Sequence, residues 1–448
     1  MPAIHRKIMA SLLDWKQSSG RKPLILRGTR QVGKSYALEQ FGQMHFAQHH
    51  VVNFQENLSL HGLFDKALSP ADIVQGLEFA LDRSINPEQD LLIFDEIQDC
   101  PRALTSLKYF YEQMPQLALC CAGSLLGVVQ SRSPFPVGKV NFLDLYPLSF
   151  QEFLGALDEQ RALAYLQGLH QDSHIPAPLH EQLLDLLKKY WIVGGMPEVV
   201  DAYRQQRTQR KAAFADVRTR QQDLLDAYVR DFAKYAESAR ADRILAVLNS
   251  LPAQLARENK KFQPAKVIAG GRYSNLQSAI DWLTGAGLVI KVPIANAGEL
   301  PFSAFTQENR FKLYFFDTGL LGALAQLSPA TLYLGNDLFA TFKGAFCENY
   351  VAQALHQPTS RPLVGWANNT AEIEFMLENV GQVLPIEVKS GASGKLKSLN
   401  VFMQKYPATP YRTRISARPL EINHTAAMHS YPLYLAGQFP LPIDSSEK

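Results

Sequence analysis

The sequence predicts an α/β protein of several domains with a parallel β-sheet near its N-terminal end. A glycine-rich turn, Gly28–Ser35, separates an apolar run from a helical pattern. A second apolar run, Leu91–Phe94, ends in the carboxylates of Asp95 and Glu96. Far along the chain, 385–389 alternates apolar and charged residues as strands do. Buried strands that deliver polar groups at their ends are typical of α/β folds.

Length and composition exclude several classes of protein. At 448 residues the chain exceeds one ordinary hydrophobic core, and the length suggests roughly three domains. Hydrophobic residues make up 46% and charged residues 19%, which is typical of globular proteins. The net charge of +3 shows no overall demand for nucleic acid or for a membrane surface. No apolar run approaches the roughly 20 residues of a membrane span, so no membrane partner is expected.

The N-terminal stretch and the cysteines predict a cytoplasmic location. Residues 1–20 alternate apolar and charged side chains, which predicts an amphipathic helix on the sheet instead of a signal peptide. No cysteine pair has the C-x-x-C spacing, so neither a zinc site nor a disulfide framework is predicted. The cysteines are Cys100, Cys120, Cys121 and Cys347.

The glycine-rich turn fits the phosphate-binding pattern G-x-x-x-x-G-K-[ST] at every position. Gly28 and Gly33 allow backbone N–H groups to point inward at phosphate oxygens. Lys34 is expected to contact the β- and γ-phosphates and Ser35 to ligate Mg²⁺. The alternative is a glycine turn that fits the pattern by chance. The predicted nucleotide-binding residues are Gly28, Thr29, Arg30, Gln31, Val32, Gly33, Lys34, Ser35 and Tyr36.

Further elements complete the predicted sheet. A strand at Val51–Phe54 and helices near 60–66 and 70–83 precede the apolar run that ends at Asp95. That carboxylate is expected to hold Mg²⁺ through water, and Glu96 is expected to polarise the attacking water. Alone, such a pair is also typical of a solvated strand end, but here it follows a complete phosphate loop.

Beyond a helix at 101–114, the strand at 117–122 stops at Gly123 and Ser124. We predict that this strand lies between those of the phosphate loop and of Asp95. Ser124 would then sense the γ-phosphate and assist catalysis. A helix N-cap is an equal alternative, since sequence does not separate the two roles of the hydroxyl.

Several stretches together resemble a widespread prokaryotic family of AAA-superfamily ATPases, in which a P-loop domain precedes a C-terminal domain of unknown function. The stretches are 28–35, 52–54, 92–98, 122–124, 145–150 with 152–153, 194–198, 314–319 and 389. The resemblance spans nearly the whole chain and implies ATP as the nucleotide. The superfamily often forms homo-oligomers with an arginine finger from a neighbouring subunit, for which Arg132 is a candidate. Relatives usually carry Gly-Arg where this chain has Gly138-Lys139, and lysine does not reproduce bidentate phosphate contacts.

Five segments are predicted on this basis. Residues 1–150 form a P-loop, AAA-type ATPase domain, and 151–215 form a helical lid or linker. Residues 216–300 form a winged helix-turn-helix-like domain, 301–340 a connector, and 341–448 an α/β domain resembling restriction endonucleases of the PD-(D/E)-x-K type.

The winged-helix prediction depends on residues 241–295. Ser274 and Gln277 fit a capping box, and 288–290 would start the wing. Polar residues from Arg272 to Gln277 could face DNA, although such modules in ATPases often only pack between domains. The arginine-rich stretch 204–220 is either a solvated helix face or a phosphate contact.

The C-terminal prediction depends on four residues, Glu348, Glu374, Glu387 and Lys389. In PD-(D/E)-x-K nucleases such carboxylates hold a divalent ion and the lysine positions the reacting groups. The family typically has aspartate where this chain has Glu374. A second Mg²⁺ or Mn²⁺ would bind here, although Glu-Val-Lys is also a common cross-strand charge pattern. The sequence therefore predicts a Mg²⁺-dependent ATPase coupled to a nuclease-like, DNA-acting domain, or alternatively an ATP-controlled binding switch in which that domain cuts nothing.

Overall fold

The computed structural model describes residues 4–65, 68–123, 136, 138–235, 238–257, 260–334, 340–357, 362–391 and 396–443. The chain divides into two compact units. Unit 1 comprises Met1–Tyr146 with Gly285–Gly287, and unit 2 comprises Pro147–Thr284 with Leu288–Lys448.

Unit 1 is built on a five-stranded sheet in which every neighbouring pair is parallel. The strands are β1 (Leu24–Arg27), β2 (His49–Asn53), β3 (Leu91–Asp95), β4 (Ala118–Ala122) and β5 (Asn141–Asp144). Their order is β2-β3-β4-β1-β5. The prediction that the strand at 117–122 lies between the phosphate-loop strand and the Asp95 strand is therefore confirmed.

Helices cover both faces of that sheet. They are α1 (Ile8–Gln17), α2 (Lys34–His45), α3 (Pro70–Leu81) and α4 (Pro101–Gln113), with short 3₁₀ turns at Leu58–Phe64 and Ile97–Asp99. Alternate residues of β3 lie in separate hydrophobic clusters, Leu92 and Phe94 in one and Leu91 and Ile93 in the other, because side chains alternate across a strand. Helix α1 buries Met9, Leu12 and Trp15, which confirms the predicted amphipathic helix.

The first half of unit 2 is helical. Its helices are α5 (Phe150–Ala156), α6 (Gln160–Gln167), α7 (Ala177–Val193), α8 (Pro197–Gln206), α9 (Arg210–Tyr235), α10 (Ser238–Leu255) and α11 (Tyr273–Gly285). Helix α7 ends at Val193 and α8 begins at Pro197, so the glycine-rich residues between them separate the two helices.

The second half of unit 2 contains an eight-stranded mixed sheet of order β12-β13-β11-β10-β9-β8-β6-β7. The strands are β6 (Val289–Ala295), β7 (Thr306–Phe315), β8 (Val364–Ala367), β9 (Glu372–Asn379), β10 (Gln382–Val388), β11 (Arg412–Ser416), β12 (Glu421–Asn423) and β13 (Met428–Pro432). The helices are α12 (Thr318–Leu324), α13 (Pro329–Leu334), α14 (Ala340–His356) and α15 (Lys397–Lys405).

The segment predicted to start a wing is part of this sheet. Strand β6 pairs antiparallel with β7, as a wing hairpin does, but it also pairs parallel with β8. One sheet thus runs across the predicted limits at 300 and 340, and the five-segment division stays a prediction. The predicted capping box was wrong, because α11 begins at Tyr273 and places Ser274 inside the helix. Gln277 instead donates to the Glu308 carboxylate at 2.6 Å.

A buried carboxylate joins two parts of unit 2. Asp317 caps α12 by accepting the Leu320 N–H at 2.9 Å, and it also accepts the Gly195 N–H at 2.7 Å. Burial raises the Asp317 pKa to about 6. The Gly194–Gly195 turn is therefore held against the start of α12.

Candidate nucleotide-binding site

The phosphate loop requires glycine at two positions. Gly33, which precedes α2, has φ of 94°, in the left-handed region that favours glycine. A Cβ atom on Gly28 would lie 2.3 Å from the Leu145 carbonyl oxygen. Gln31 also has a positive φ, 62°. The backbone between β1 and α2 therefore has the tight turn that the sequence predicts.

The remaining loop residues differ in exposure. Thr29 and Val32 are buried, Arg30 is half-buried and Gln31 is exposed. Tyr36, on the first turn of α2, is 52% exposed. An exposed ring next to the loop is available for contact with a nucleotide.

Lys34 is a buried cation that the loop itself holds. Its Nζ atom donates to the carbonyl oxygens of Gly28 and Thr29, both at 2.9 Å. Burial lowers the Lys34 pKa to about 8, although the nearby carboxylates of Glu96 and Asp95 oppose that shift. The ammonium group therefore lies inside the loop with little contact to water.

Ser35 and Asp95, the two predicted magnesium ligands, face each other across the sheet edge. The Ser35 hydroxyl lies 2.9 Å from both carboxylate oxygens of Asp95. The Asn53 side-chain amide also donates to Asp95, at 3.4 Å. Burial raises the Asp95 pKa, since a desolvated carboxylate is less stable. Oxygen ligands grouped at the end of parallel strands are suitable for Mg²⁺.

Glu96 lies next to this pair in a strained backbone conformation. Its φ of 48° and ψ of 44° place a residue other than glycine in the left-handed region. The Gln98 side-chain amide donates to its carboxylate at 2.5 Å. The structure thus brings Lys34, Ser35, Asp95 and Glu96 together, as the sequence predicts.

Arg6 supports the loop and was missed in the sequence. Its guanidinium donates to the Val32 carbonyl at 3.1 Å and to the Tyr146 carbonyl at 2.5 Å, and the residue is only 4% exposed. A charged residue just before an amphipathic helix is usually solvated, so the sequence carries no signal for this role.

Three other predicted positions have different outcomes. Ser124 and Arg132 lie outside the described residues. Lys139 is described, and its ammonium pairs with Glu112 at 3.0 Å.

The four C-terminal site residues also lie in one cluster, in which Glu348 and Glu387 pair with lysines. Glu348 of α14 is 3% exposed. It accepts from the Tyr314 hydroxyl, from Lys260 and, at 3.3 Å, from Lys312. Burial would raise the Glu348 pKa, but the ammonium groups of Lys312 and Lys260 outweigh it and lower the pKa to about 2.

The other two carboxylates are held differently. Glu374 accepts the Val388 N–H at 3.2 Å, and burial together with the charge of Glu348 raises its pKa to about 7. Glu387 pairs with the Lys389 ammonium at 2.6 Å. The second carboxylate oxygen of Glu387 is buried and has no hydrogen-bond partner among the described residues. No group of three or more His, Cys, Asp or Glu side chains in the described ranges is arranged to hold a metal ion.

Lys312, the cation that contacts Glu348, was also missed in the sequence. It is 1% exposed and pairs with Glu372 as well. Burial would lower its pKa, but the charges of Glu348 and Glu372 raise it. In the sequence it is one charged residue in an apolar strand, and nothing local reveals its partners.

Three family models match separate parts of the chain. Residues 20–154 match a model described as "AAA domain". Residues 184–331 match a domain of unknown function (DUF8612) and residues 343–434 another (DUF4143). Comparison with curated proteins gives no match. The AAA match, together with the five-stranded parallel sheet, supports a P-loop ATPase of the AAA class for the N-terminal part of the chain.

Solved structures resemble the chain more distantly. The Aeropyrum pernix ORC1 protein in complex with DNA is 13% identical, with 72% of this chain and 91% of that chain covered and a TM-score of 0.32. A STAND protein with a tetratricopeptide repeat sensor from Pyrococcus horikoshii is 11% identical, with 79% and 47% covered and a TM-score of 0.27. AMPPCP-bound DnaA from Aquifex aeolicus is 11% identical, with 62% and 86% covered and a TM-score of 0.26.

Proposed function

We propose that unit 1 binds ATP with Mg²⁺ and hydrolyses it. The observation that carries this proposal is the contact of the Ser35 hydroxyl with the Asp95 carboxylate at 2.9 Å, beside the buried Lys34. Lys34 would exchange its two carbonyl contacts for the β- and γ-phosphates. Mg²⁺, when bound by Ser35 and Asp95, would neutralise charge that develops on the phosphates.

Glu96 has the catalytic role in this proposal. It would polarise the attacking water, since its carboxylate follows directly after the proposed metal ligand. Glu96→Gln should keep ATP binding and lose turnover, because the amide has similar size but is no base. Lys34→Ala should lose binding of labelled ATP. Tight binding by Lys34→Ala would overturn the proposal, as would undiminished turnover by Glu96→Gln.

Three finer expectations belong to the same proposal. Ser124 would sense the γ-phosphate, and Arg132 would act as a finger toward a neighbouring subunit in a homo-oligomer. An assay of turnover against protein concentration tests the second, because a site shared between subunits loses activity on dilution. We also place the protein in the cytoplasm, where its four free, buried cysteines would stay reduced. Among the described helices, none has the length and apolar composition to span a bilayer.

For unit 2 we propose the binding-switch alternative over an active nuclease. The specific observation is that Glu348 is already paired with the lysines 260 and 312, and Glu387 with Lys389. To act as a metal-dependent nuclease, the domain would first have to exchange these lysine partners for the ion. Plasmid incubated with the protein and Mg²⁺ or Mn²⁺, with and without ATP, should stay intact. Nicking that Glu387→Ala abolishes would establish the nuclease instead.

The residues predicted to contact DNA support the same choice. Tyr273 and Gln277 both contact Glu308, and the Asn275 side chain accepts the Arg272 N–H at 3.0 Å. In the arginine-rich stretch, Arg220 pairs with Asp216 and Glu198, and Arg218 donates to the Leu327 carbonyl. We therefore propose that both segments pack within unit 2. Tight, salt-sensitive binding of duplex DNA that Arg272→Ala weakens would contradict this.

A further inference from the structure

The carboxylate cluster of unit 2 has little capacity left for a divalent ion. Both oxygens of Glu348 accept hydrogen bonds, one from Lys260 and the other from Lys312 and the Tyr314 hydroxyl. One oxygen of Glu374 accepts the Val388 N–H. One oxygen of Glu387 faces Lys389, and only its second oxygen is buried without a partner. This arrangement does not fit a metal shared by the three glutamates.

Lys312 lies where the strands bring these charges together. Residues 312 and 314 share one face of β7, because strand side chains alternate, and both contact Glu348 of α14. The same ammonium pairs with Glu372 of β9. A side chain that is 1% exposed and contacts carboxylates from a helix and a strand is held in place by the fold. The positive charge of this ammonium offsets the negative charges of the two carboxylates, as a bound cation would.

We propose that Lys312 takes the place of the divalent ion in this nuclease-like site. While its ammonium is present, the cluster neutralises its own carboxylates and binds neither Mg²⁺ nor Mn²⁺. Removal of that ammonium leaves Glu348 and Glu372 without the positive charge that both of them contact. The cluster then becomes a site for a hard divalent cation, for which carboxylate oxygens are suitable ligands.

The proposal deepens the binding-switch function of unit 2 and is independent of ATP hydrolysis. Its test measures the binding of Mn²⁺ alone, by electron paramagnetic resonance, to the nucleotide-free full chain. Every protein in the series carries Asp95→Asn, so that the proposed magnesium site of unit 1 does not contribute. The series comprises the parent, Lys312→Ala, Lys312→Arg and the double variant Lys312→Ala with Glu348→Gln.

The parent and Lys312→Arg should bind no stoichiometric Mn²⁺, since both keep a cation in the cluster. Lys312→Ala should bind one Mn²⁺ at least about tenfold more tightly than the parent. The alanine leaves space for the ion, and the carboxylates no longer have the lysine charge beside them. The double variant should lose that gain. Circular dichroism verifies that each variant is folded.

Two results would overturn the proposal. One is stoichiometric Mn²⁺ binding by the parent that Glu387→Gln abolishes, since the cluster would then accept a metal beside Lys312. The other is a folded Lys312→Ala that binds no Mn²⁺. If Lys312→Ala does not fold, the parent titration with its Glu387→Gln control decides alone: absence of a site supports the proposal. The ATPase proposal is tested separately, by ATP turnover of proteins with Asp95 intact, so its failure is distinguishable from failure of this one.

Discussion

In the proposed ATP complex, the ammonium group of Lys34 would exchange its two carbonyl partners for phosphate oxygens. In the nucleotide-free protein its burial holds the pKa at about 8, below the ordinary 10.5. Phosphate oxygens favour the charged form, so the pKa should rise in the complex. Above pH 8 binding must therefore take up a proton, whereas below pH 8 the proton is already present.

The first prediction follows from that proton. ATP affinity should change little between pH 7 and 8 and fall by up to about tenfold per pH unit above pH 8. Calorimetric titration at pH 7 and 9 in buffers of different ionisation heat measures both affinity and proton uptake. Equal affinity at the two pH values would show that Lys34 keeps its proton without the nucleotide.

The same pKa has a consequence for stability. Because the folded-state pKa lies below the unfolded one, the unfolded chain binds more protons between pH 8 and 10.5. The contribution of Lys34 to the free energy of unfolding therefore rises with pH in that window. Urea unfolding of the parent and of Lys34→Met at several pH values should show the difference growing in favour of the parent.

Arg6 gives a second prediction at this scale. Arg6→Ala leaves the carbonyls of Val32 and Tyr146 without their buried donor, at a cost of about 1–3 kcal/mol. The loop should lose its shape, and ATP affinity should fall while Lys34 is intact. Equilibrium binding measures the change. Arg83→Ala, an exposed arginine of unit 1, is the matched control and should change little.

Two glycines allow a test at the scale of elements. Gly194 and Gly381 have φ of 78° and 75°, so an alanine is strained at either position. At Gly194 the added Cβ atom would also lie 2.3 Å from the Asp317 carboxylate, whereas at Gly381 nothing lies within 4 Å. The two variants therefore differ in two ways. Gly194 makes the contact between the α7–α8 turn and α12, and its ψ of −167° also lies in a region that essentially only glycine adopts.

Gly381→Ala should cost about 1–2 kcal/mol. Gly194→Ala should cost clearly more, because the alanine must also push Asp317 away from the Gly195 N–H. Denaturant unfolding monitored in unit 2 measures both. Equal losses would show that the Asp317 contact contributes nothing to the stability of the turn.

The elements themselves differ in how far the sequence predicts them. The phosphate loop and β3 depend on neighbours in sequence, and the structure has them at the expected positions. The capping box was placed two residues too late, because a serine near a helix start fits several cap positions. The pairing of β6 with β8 joins distant segments, which periodicity does not report. The partners of Arg6 and Lys312 depend on such long-range contacts and were missed for the same reason.

At the scale of the whole molecule, ATP binding should stabilise unit 1. Binding to the folded state alone adds about 2.7 kcal/mol when the ligand is at 100 times its Kd. Hydrogen exchange with ATP and Mg²⁺ should therefore show protection in β1, α2 and β3. Lys34→Ala should lose this protection, and AMP, which lacks the β- and γ-phosphates, should give much less. Unchanged exchange in these elements at saturating ATP would contradict the assignment of the site.

The strand order of the eight-stranded sheet has a consequence for synthesis of the chain. Its inner strand β11 pairs with β13, so residues 412–416 cannot complete their pairing until residues 428–432 have been synthesised. Likewise β6 waits for β8, as Ile294 pairs with Gly365. Such high contact order delays folding and leaves strand edges open on the nascent chain. Chains truncated before Met428 should therefore lack protease protection at 412–416, and the sheet should be complete only after Pro432 has left the exit tunnel.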